Sequence, residues 1–203
     1  MKIALFDYGG VVGFDHVDPA ERDLMKIFKA SREEINSLLS EKSEQGRLFR
    51  EGLISEKVFW DIVAKRKKVK PAVTPRKLTQ LWMNTYENNI EILELIAKVR
   101  QKKCLVGILT NIDVARSRLL SVKIDIKNNF DFYLPSFRFN CSKDSSELWF
   151  KINSMLKEEK ISDVFYCDDR IEHVNSANNV GWIGVRYIDP NNLKENIETF
   201  LGR

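Results

Sequence analysis

The chain has 203 residues, of which 43% are hydrophobic, so it is long enough for one substantial core or for a core with a small insert. Its 33 basic and 29 acidic residues leave a formal charge of +4, which is too small and too mixed to indicate a nucleic-acid or membrane-surface protein. The 3 cysteines show no CxxC spacing, which argues against a disulfide framework and against a structural zinc site. The apolar run before Asp7 is too short for a signal-peptide core. We therefore expect a cytoplasmic protein, monomeric or homodimeric, with no nucleic-acid or membrane partner.

The first strand and a helical stretch are predicted from the first 89 residues. The apolar run Ile3 to Phe6 stops at Asp7 and a glycine-rich turn, which is typical of a short buried strand. From Pro19 to about Asn89 the apolar residues recur at helical spacing, which predicts four amphipathic helices. Residues that favour helix starts precede three of them: Ser31, Ser55 and Thr74.

After Asn89, helical and strand patterns alternate. The predicted strands are Leu105 to Leu109, Phe132 to Leu134, Val164 to Cys167 and Ile183 to Val185. Such alternation favours a doubly wound, Rossmann-like parallel sheet with helices on both faces, an α/β fold. The first strand must join this sheet, because alone it would leave both of its apolar faces exposed. We therefore expect an α/β core of residues 1–14 and 90–203, interrupted by a four-helix cap of residues 15–89.

Polar residues stand just past the ends of several predicted strands. In open parallel sheets these ends meet at one edge, where ligands bind. Each such residue alone is explained as a turn former, a helix cap or a solvated lysine. Together, three carboxylates at one edge would repel one another unless a cation shared the site, which indicates magnesium and a nearby lysine. The residues are Asp7, Thr110, Asn111, Lys143, Asp168 and Asp169.

The segments around these positions also resemble the motifs of a known family. They read FDYGGVV at 6–12, ILTN at 108–111, SKDSSELWF at 142–150 and FYCDDRIEHVNSANNVGW at 165–182. In order and spacing they resemble the four motifs of the haloacid dehalogenase (HAD) superfamily of hydrolases, and particularly of members with a helical cap after the first motif. Within the predicted cap, EGLISEKVFW at 51–60 is similar to a recurring segment of the same family.

The resemblance implies a nucleophile and a metal site. Asp7 would attack phosphorus and form an aspartyl-phosphate that water then hydrolyses. Magnesium would be held by Asp7, by the backbone carbonyl of Gly9 and by Asp168. Asp169 would orient a metal-bound water.

The resemblance also implies how a small phosphorylated metabolite is bound. The Thr110 hydroxyl and the Asn111 backbone N–H would donate hydrogen bonds to the transferred phosphoryl group. Lys143 would offset the negative charge shared by Asp7 and the phosphate. Phosphoryl transfer depends mainly on such positioning and charge neutralisation.

One departure from the family pattern concerns acid–base chemistry. The phosphatase pattern is DxDxT, whose second Asp protonates the leaving oxygen, but Gly9 and Val11 occupy the second Asp and the Thr positions. A missing general acid or base costs about 10² to 10⁴ in rate. Asp15 and His16, just beyond the glycine turn, are the nearest titratable residues that could supply this proton. The alternative interpretation is that both are exposed linker residues.

The same departure leaves two other functions open. The first is metal-independent displacement of halide from a haloacid through an ester on Asp7, because halide leaves without a proton. The paired Asp168 and Asp169 argue against it, since uncompensated carboxylates would repel an anionic substrate. The second is a HAD-fold protein with little catalysis that binds a phosphorylated ligand or a partner.

Several other features receive structural interpretations. The basic run Lys65 to Lys70 is predicted to end a cap helix that Pro71 terminates, with substrate steering as an alternative. His173 is interpreted as a helix-surface histidine rather than a metal ligand, because no second His or Cys stands at ligand spacing. Cys104 and Cys167 are interpreted as small apolar core residues.

Overall fold

The strands of the described residues are β1 (Lys2–Phe6), β2 (Gly13–Asp15), β3 (Tyr86–Asn88), β4 (Leu105–Thr110), β5 (Phe132–Pro135), β6 (Asp163–Asp168) and β7 (Ile183–Arg186). Five of them form a parallel sheet in the order β5-β4-β1-β6-β7 at the centre of the fold, and β2 and β3 form a separate antiparallel pair. The computed structural model describes residues 1–15, 19–84 and 86–203. The predicted parallel sheet is confirmed, and each predicted strand overlaps an observed one.

The helices of the described ranges are α1 (Pro19–Phe28), α2 (Arg32–Leu39), α3 (Glu44–Arg50), α4 (Glu56–Lys67), α5 (Pro75–Met83), α6 (Ile90–Gln101), α7 (Val114–Lys123), α8 (Ile126–Asn129), α9 (Ser146–Glu158), α10 (Ile171–Asn179) and α11 (Pro190–Gly202). None of them combines the length and the apolar run that a bilayer span requires. A short 3₁₀ turn, Ser136–Arg138, follows β5.

Strand β1 lies in the middle of the sheet because it is apolar on both faces. It pairs with β4 on one side and with β6 on the other. Ala4 and Phe6 belong to a core cluster shared with α6 and α11, whereas Ile3 and Leu5 belong to a second cluster shared with α9. All four side chains are fully buried. Burial of a large apolar side chain such as Ile3, Leu5 or Phe6 stabilises the fold by about 1.5–3 kcal/mol. The central position of β1 in the sheet therefore follows from its composition.

The segment between β2 and β3, which carries α1 to α5 and is called the insert below, folds around its own aromatic core. Phe59 stacks on Phe49 with ring centroids 4.4 Å apart and on Trp82 at 5.7 Å. The Trp60 Nε1 donates to Thr79 Oγ1 at 2.9 Å, which satisfies the buried indole N–H. Strands β2 and β3 bring the two ends of this segment side by side, with Gly13 opposite Asn88.

The helix count of this segment differs from the sequence-based expectation. The described residues form five helices, α1 to α5, rather than four. The additional helix, α3, buries Gln45, Gly46 and Arg50 beside Phe49. Because most of its buried residues are polar or glycine, no hydrophobic period marks it.

The local signals at helix ends are confirmed. Ser31, Ser55 and Thr74 cap α2, α4 and α5, each accepting a hydrogen bond from a backbone N–H of the first turn. Helix α4 ends at Lys67, and Lys68 adopts a left-handed conformation with φ 52°. The Lys67 ammonium pairs with Glu34 at 2.6 Å, so this lysine of the basic run connects α4 to α2 within the insert.

Candidate active site

The carboxyl ends of three neighbouring strands bring Asp7, Thr110 and Asp168 to one edge of the sheet. Asp7 directly follows β1, and its N–H donates to the Cys167 carbonyl at 2.9 Å. Asp168 is the last residue of β6, and Thr110 is the last residue of β4. Since β1 lies between these two strands, their last residues flank Asp7.

Three carboxylates meet at this edge. Each of Asp7, Asp168 and Asp169 offers an oxygen, and the three atoms lie within 4.8 Å of one another. The turn after β1 permits this approach, because Gly10 has φ +78° and a Cβ there would lie 2.5 Å from an Asp169 carboxylate oxygen. The predicted convergence of these residues is therefore confirmed.

Lys143 forms ion pairs with two of these carboxylates. Its side chain is only 2% exposed, and its Nζ lies 2.9 Å from Asp7 Oδ2 and 2.7 Å from Asp168 Oδ2. The loop that carries it is fixed from both sides, because the Lys143 N–H donates to Asn111 Oδ1 at 2.8 Å and its carbonyl accepts from Trp149 Nε1 at 2.8 Å. The predicted placement of a lysine among the carboxylates is thus present.

Burial and these contacts set the protonation of the site. Burial raises the pKa of Asp7 to about 7; Lys143 lowers this pKa and Asp168 adds to the rise. Burial also disfavours ionised Asp168, but Lys143 and His173 outweigh it and hold the pKa of Asp168 well below its usual range. Burial disfavours charged Lys143, yet the two carboxylates outweigh it and raise the pKa of Lys143 above its usual range. Lys143 and Asp168 are therefore an ion pair at neutral pH, and additional positive charge would favour ionised Asp7.

His173 is a buried member of the site, so its interpretation as a helix-surface histidine is wrong. It is 2% exposed, its Nδ1 lies 3.1 Å from Asp168 Oδ2 and its Nε2 lies 3.2 Å from Asp144 Oδ1. Burial lowers the pKa of His173, but the hydrogen bonds to Asp144 and Asp168 outweigh it and raise this pKa above its usual value. The Tyr166 hydroxyl also donates to Asp168 Oδ2, so this carboxylate oxygen is held by three neighbours.

A cavity of about 300 Å³ opens beside Asp7. Thr110 is 5% exposed and lines it together with Asn111. The Asn111 side chain also joins the core to the insert, because its Nδ2 donates to Glu41 Oε2 at 2.9 Å. Glu41 in turn accepts from Arg170, which follows the acidic pair. The cavity therefore lies where insert and core loops meet.

Some lining residues were not expected from the sequence. Glu41 and Arg50 come from the insert, and Arg116 and Arg170 come from the core. No motif or period singled out any of these four. For Arg116, the spacing of three residues from Asp113 at the start of a helix is a signal that predicts a local ion pair, and the structure forms this pair at 2.5 Å.

The second aspartate of the DxDxT pattern has no counterpart in the turn after β1. Gly9 lines the cavity, and a Cβ at this position would have no atom within 4 Å, so the space beside it is open. Val11 is fully buried in the core. Of the two alternative residues, His16 lies outside the described residues, and only the backbone of Asp15 is described, in β2.

The donor set fits a magnesium ion. The three converging side chains offer only carboxylate oxygens, the ligand type that this hard cation prefers. Their three formal negative charges face one lysine, so a divalent cation would balance them. The raised pKa of Asp7 agrees with this, because it indicates that the described residues do not fully compensate the charge of this carboxylate. Asp7 and Asp168 would hold the ion, together with the carbonyl of Gly9 on the same turn. The role of Asp169 in orienting a metal-bound water stays a prediction.

Comparison with known proteins identifies the fold. No protein-family model and no curated protein matches the chain by sequence. A HAD family enzyme from Bacteroides thetaiotaomicron, crystallised with magnesium and inorganic phosphate, superposes with a TM-score of 0.76 at 17% identity, over 93% of this chain and 94% of that chain. A predicted HAD-like family hydrolase from Porphyromonas gingivalis gives a TM-score of 0.76 at 17% identity, over 100% of this chain and 98% of that chain. An L-2-haloacid dehalogenase gives a TM-score of 0.66 at 13% identity, over 98% of this chain and 99% of that chain.

The chain therefore has the fold of the HAD superfamily, with a parallel α/β core and inserted helices. The resemblance predicted from the four motifs is confirmed at the level of fold. At these identities, the activity of the neighbours does not transfer to this chain, and its function has to be argued from its own site.

Proposed function

We propose that the protein is a magnesium-dependent phosphatase that hydrolyses a small phosphomonoester through Asp7. The observation that carries this proposal is the convergence of Asp7, Asp168 and Asp169 within 4.8 Å at the edge of a cavity, with Lys143 on two of them. A nucleophilic carboxylate, a cation site and a buried lysine are the components that phosphoryl transfer by an aspartate requires.

The first chemical step forms a bond from an Asp7 oxygen to phosphorus and breaks the bond from phosphorus to the alcohol oxygen. Asp7 is positioned for it, because its Oδ1 accepts from the Tyr8 N–H at 2.7 Å and its Oδ2 pairs with Lys143 at 2.9 Å. These contacts restrict the rotation of the carboxylate, so its approach to phosphorus is preorganised. In the second step, water attacks phosphorus, releases inorganic phosphate and restores the Asp7 carboxylate.

Charge on the transferred group is stabilised by groups around the cavity. Lys143 is charged at neutral pH, because the neighbouring carboxylates raise its pKa, and it stands beside the nucleophile. Thr110 and Asn111 line the cavity at the end of β4. When bound, magnesium would act as a Lewis acid that screens the charge of the phosphate oxygens and of the carboxylates. Asp7 would then be ionised at neutral pH, as nucleophilic attack requires.

The leaving alcohol would take its proton from water in the cavity. Gly9 supplies no carboxyl group, and burial raises the pKa of Tyr8 above its usual value, so the Tyr8 phenol is a poor acid at neutral pH. Esters with good leaving groups, such as aryl phosphates, should therefore react faster than alkyl phosphates.

The test is phosphate release from a panel of phosphomonoesters with and without magnesium. We expect release only with the metal, and we expect Asp7→Asn to abolish it. The matched control is Asp163→Asn, because Asp163 is an exposed residue at the opposite end of strand β6. Release that persists in Asp7→Asn, or that needs no divalent metal, would refute the proposal.

Two other functions remain alternatives, and the same samples separate them. The open space beside Gly9 favours halide displacement over a reaction that needs an acid at this position. Metal-independent halide release from a 2-haloacid would support that reaction. Binding of phosphorylated ligands with neither phosphate nor halide release would support a binding protein of little catalytic activity.

A further inference from the structure

Arg116 is a second cationic group on the same cavity as Asp7. It stands in helix α7 of the core, lines the cavity and has a side chain only 4% exposed. Its Nε donates to Asp113 Oδ2 at 2.5 Å. Its Nη2 is buried, and no residue in the described ranges accepts a hydrogen bond from it. Buried guanidinium donors normally have partners, and none of the residues that the structure describes supplies an acceptor for this nitrogen.

Arg50 adds a second buried guanidinium to the same wall. It comes from α3 of the insert and donates to the carbonyls of Gly46 and Leu39, both of which are neutral. The Arg50 and Arg116 guanidinium carbons lie 5.2 and 3.7 Å from the ring centroid of Trp82. Burial, followed by the charge of Arg116, lowers the pKa of Arg50 to about 10, and Arg50 still stays charged at neutral pH.

Positive charge is concentrated at this wall. Two guanidinium groups pack on one indole ring. Arg116 is paired with Asp113, and Glu41, whose charge also acts on Arg50, is itself paired with Arg170. An anion at the unpartnered Arg116 nitrogen would supply both the missing acceptor and additional negative charge. Arg is well suited to this task, because its planar fork matches the oxygens of a carboxylate or a phosphate.

We propose that Arg116, assisted by Arg50, binds a second anionic group of the substrate, which is a carboxylate or a further phosphate on the part that is not transferred. This inference rests on the proposed phosphatase function and narrows its substrate class to phosphomonoesters that carry another negative charge. A cavity of about 300 Å³ that Asp7, Arg50 and Arg116 all line limits such a substrate to a small molecule.

Matched esters test the proposal directly. Ethyl phosphate and phosphoglycolate share the phosphoryl group and chain length but differ in a carboxylate, and ethylene glycol bisphosphate carries a second phosphate instead. We expect kcat/KM for one of the charged esters to exceed that for ethyl phosphate by about tenfold or more. The ester that shows the preference identifies the kind of anion. Equal values for all three esters would overturn the proposal.

Variants assign the preference to Arg116. Arg116→Gln should reduce the ratio to about one, because the contact to the second anion is lost. Any general loss of activity that follows from breaking the ion pair with Asp113 affects all three esters and cancels in the ratio. Arg118→Gln, an exposed arginine on the same helix, is the matched control and should keep the ratio. If Arg116→Gln does not fold, Arg116→Lys retains the charge without the fork and should lower the ratio in part. A ratio that is unchanged in a folded Arg116 variant would overturn the assignment.

If the protein is not a phosphatase, binding measurements still test the second anion site. If magnesium supports no phosphate release from any ester, the wild-type protein is titrated calorimetrically with ethyl phosphate and phosphoglycolate instead. Tighter binding of phosphoglycolate that Arg116→Gln abolishes would support the second anion site on its own, and equal affinities would refute it.

Discussion

Replacing Lys143 by methionine should strongly destabilise the metal-free protein. Lys143 is 2% exposed, and its ammonium lies 2.9 Å from Asp7 and 2.7 Å from Asp168. Methionine fills a similar volume but carries no charge, so the variant leaves two buried carboxylates without their cation. Removing one partner of a buried ion pair costs about 3–5 kcal/mol, mostly because the remaining charge is left uncompensated.

This loss is large for a chain of 203 residues. Domains of this kind have a free energy of unfolding of about 5–15 kcal/mol, so the variant would retain only part of it. At about 2–4 °C for each kcal/mol, the unfolding midpoint should fall by about 6–20 °C. Magnesium should restore part of the loss, because a cation at the three carboxylates takes over some of the role of the ammonium.

Urea titrations of wild type and Lys143→Met, each with EDTA and with magnesium, measure both effects. Lys57→Met is the control, since Lys57 is 77% exposed and pairs with an exposed aspartate at 2.6 Å; it should change the free energy of unfolding by less than about 1 kcal/mol. The reasoning is wrong if Lys143→Met unfolds like Lys57→Met in EDTA, or if magnesium stabilises it no more than it stabilises wild type.

Three further predictions concern backbone, packing and thiols. Gly10→Ala and Gly181→Ala both place a side chain at positive φ, but only at Gly10 would the Cβ meet an Asp169 oxygen at 2.5 Å; thermal melts and phosphate release should therefore show a larger loss for Gly10→Ala, and equal losses would contradict the clash. Thr79→Val removes the acceptor of the Trp60 indole N–H and should lower the free energy of unfolding in urea by about 1–3 kcal/mol; an unchanged value would mean that water replaces the hydroxyl. Burial raises the pKa of the Cys104 thiol to about 11, and all 3 cysteines are buried, so a thiol reagent at neutral pH should label the native protein far more slowly than the unfolded one.

The sheet and the acidic edge could be predicted from the sequence because both depend on local patterns. A strand that is apolar on both faces has to lie inside a sheet, and the carboxyl ends of parallel strands share one edge. Asp7, at the end of one strand, and Asp168, at the end of another, were therefore expected to meet without knowledge of any contact. The same argument placed Thr110 at this edge.

Residues brought in by tertiary packing could not be predicted in this way. His173 stands in the first turn of its helix, and its burial depends on side chains from other elements, because Asp144, Trp149 and Asp168 all lie against it. Arg50 belongs to a helix whose buried positions are largely polar, so hydrophobic periodicity does not predict this helix or the burial of Arg50. Its approach to Arg116 depends on how the insert meets the core, which no local pattern encodes.

Position 9 allows the missing acid–base group to be tested by addition rather than removal. A Cβ at Gly9 would have no atom within 4 Å, and Gly9 lines the cavity, so an aspartate there should be accommodated without loss of stability. If Asp7 is the nucleophile of a phosphatase, Gly9→Asp should raise kcat for an alkyl phosphate by up to about 10²-fold, because the alkoxide then leaves with a proton from the new carboxyl group. An aryl phosphate, whose leaving group needs little protonation, should gain much less, and Gly9→Asn, which cannot donate a carboxyl proton, should give neither gain. Equal gains on alkyl and aryl esters, or a gain with Gly9→Asn, would show that the substitution acts through binding or metal affinity and not through proton transfer.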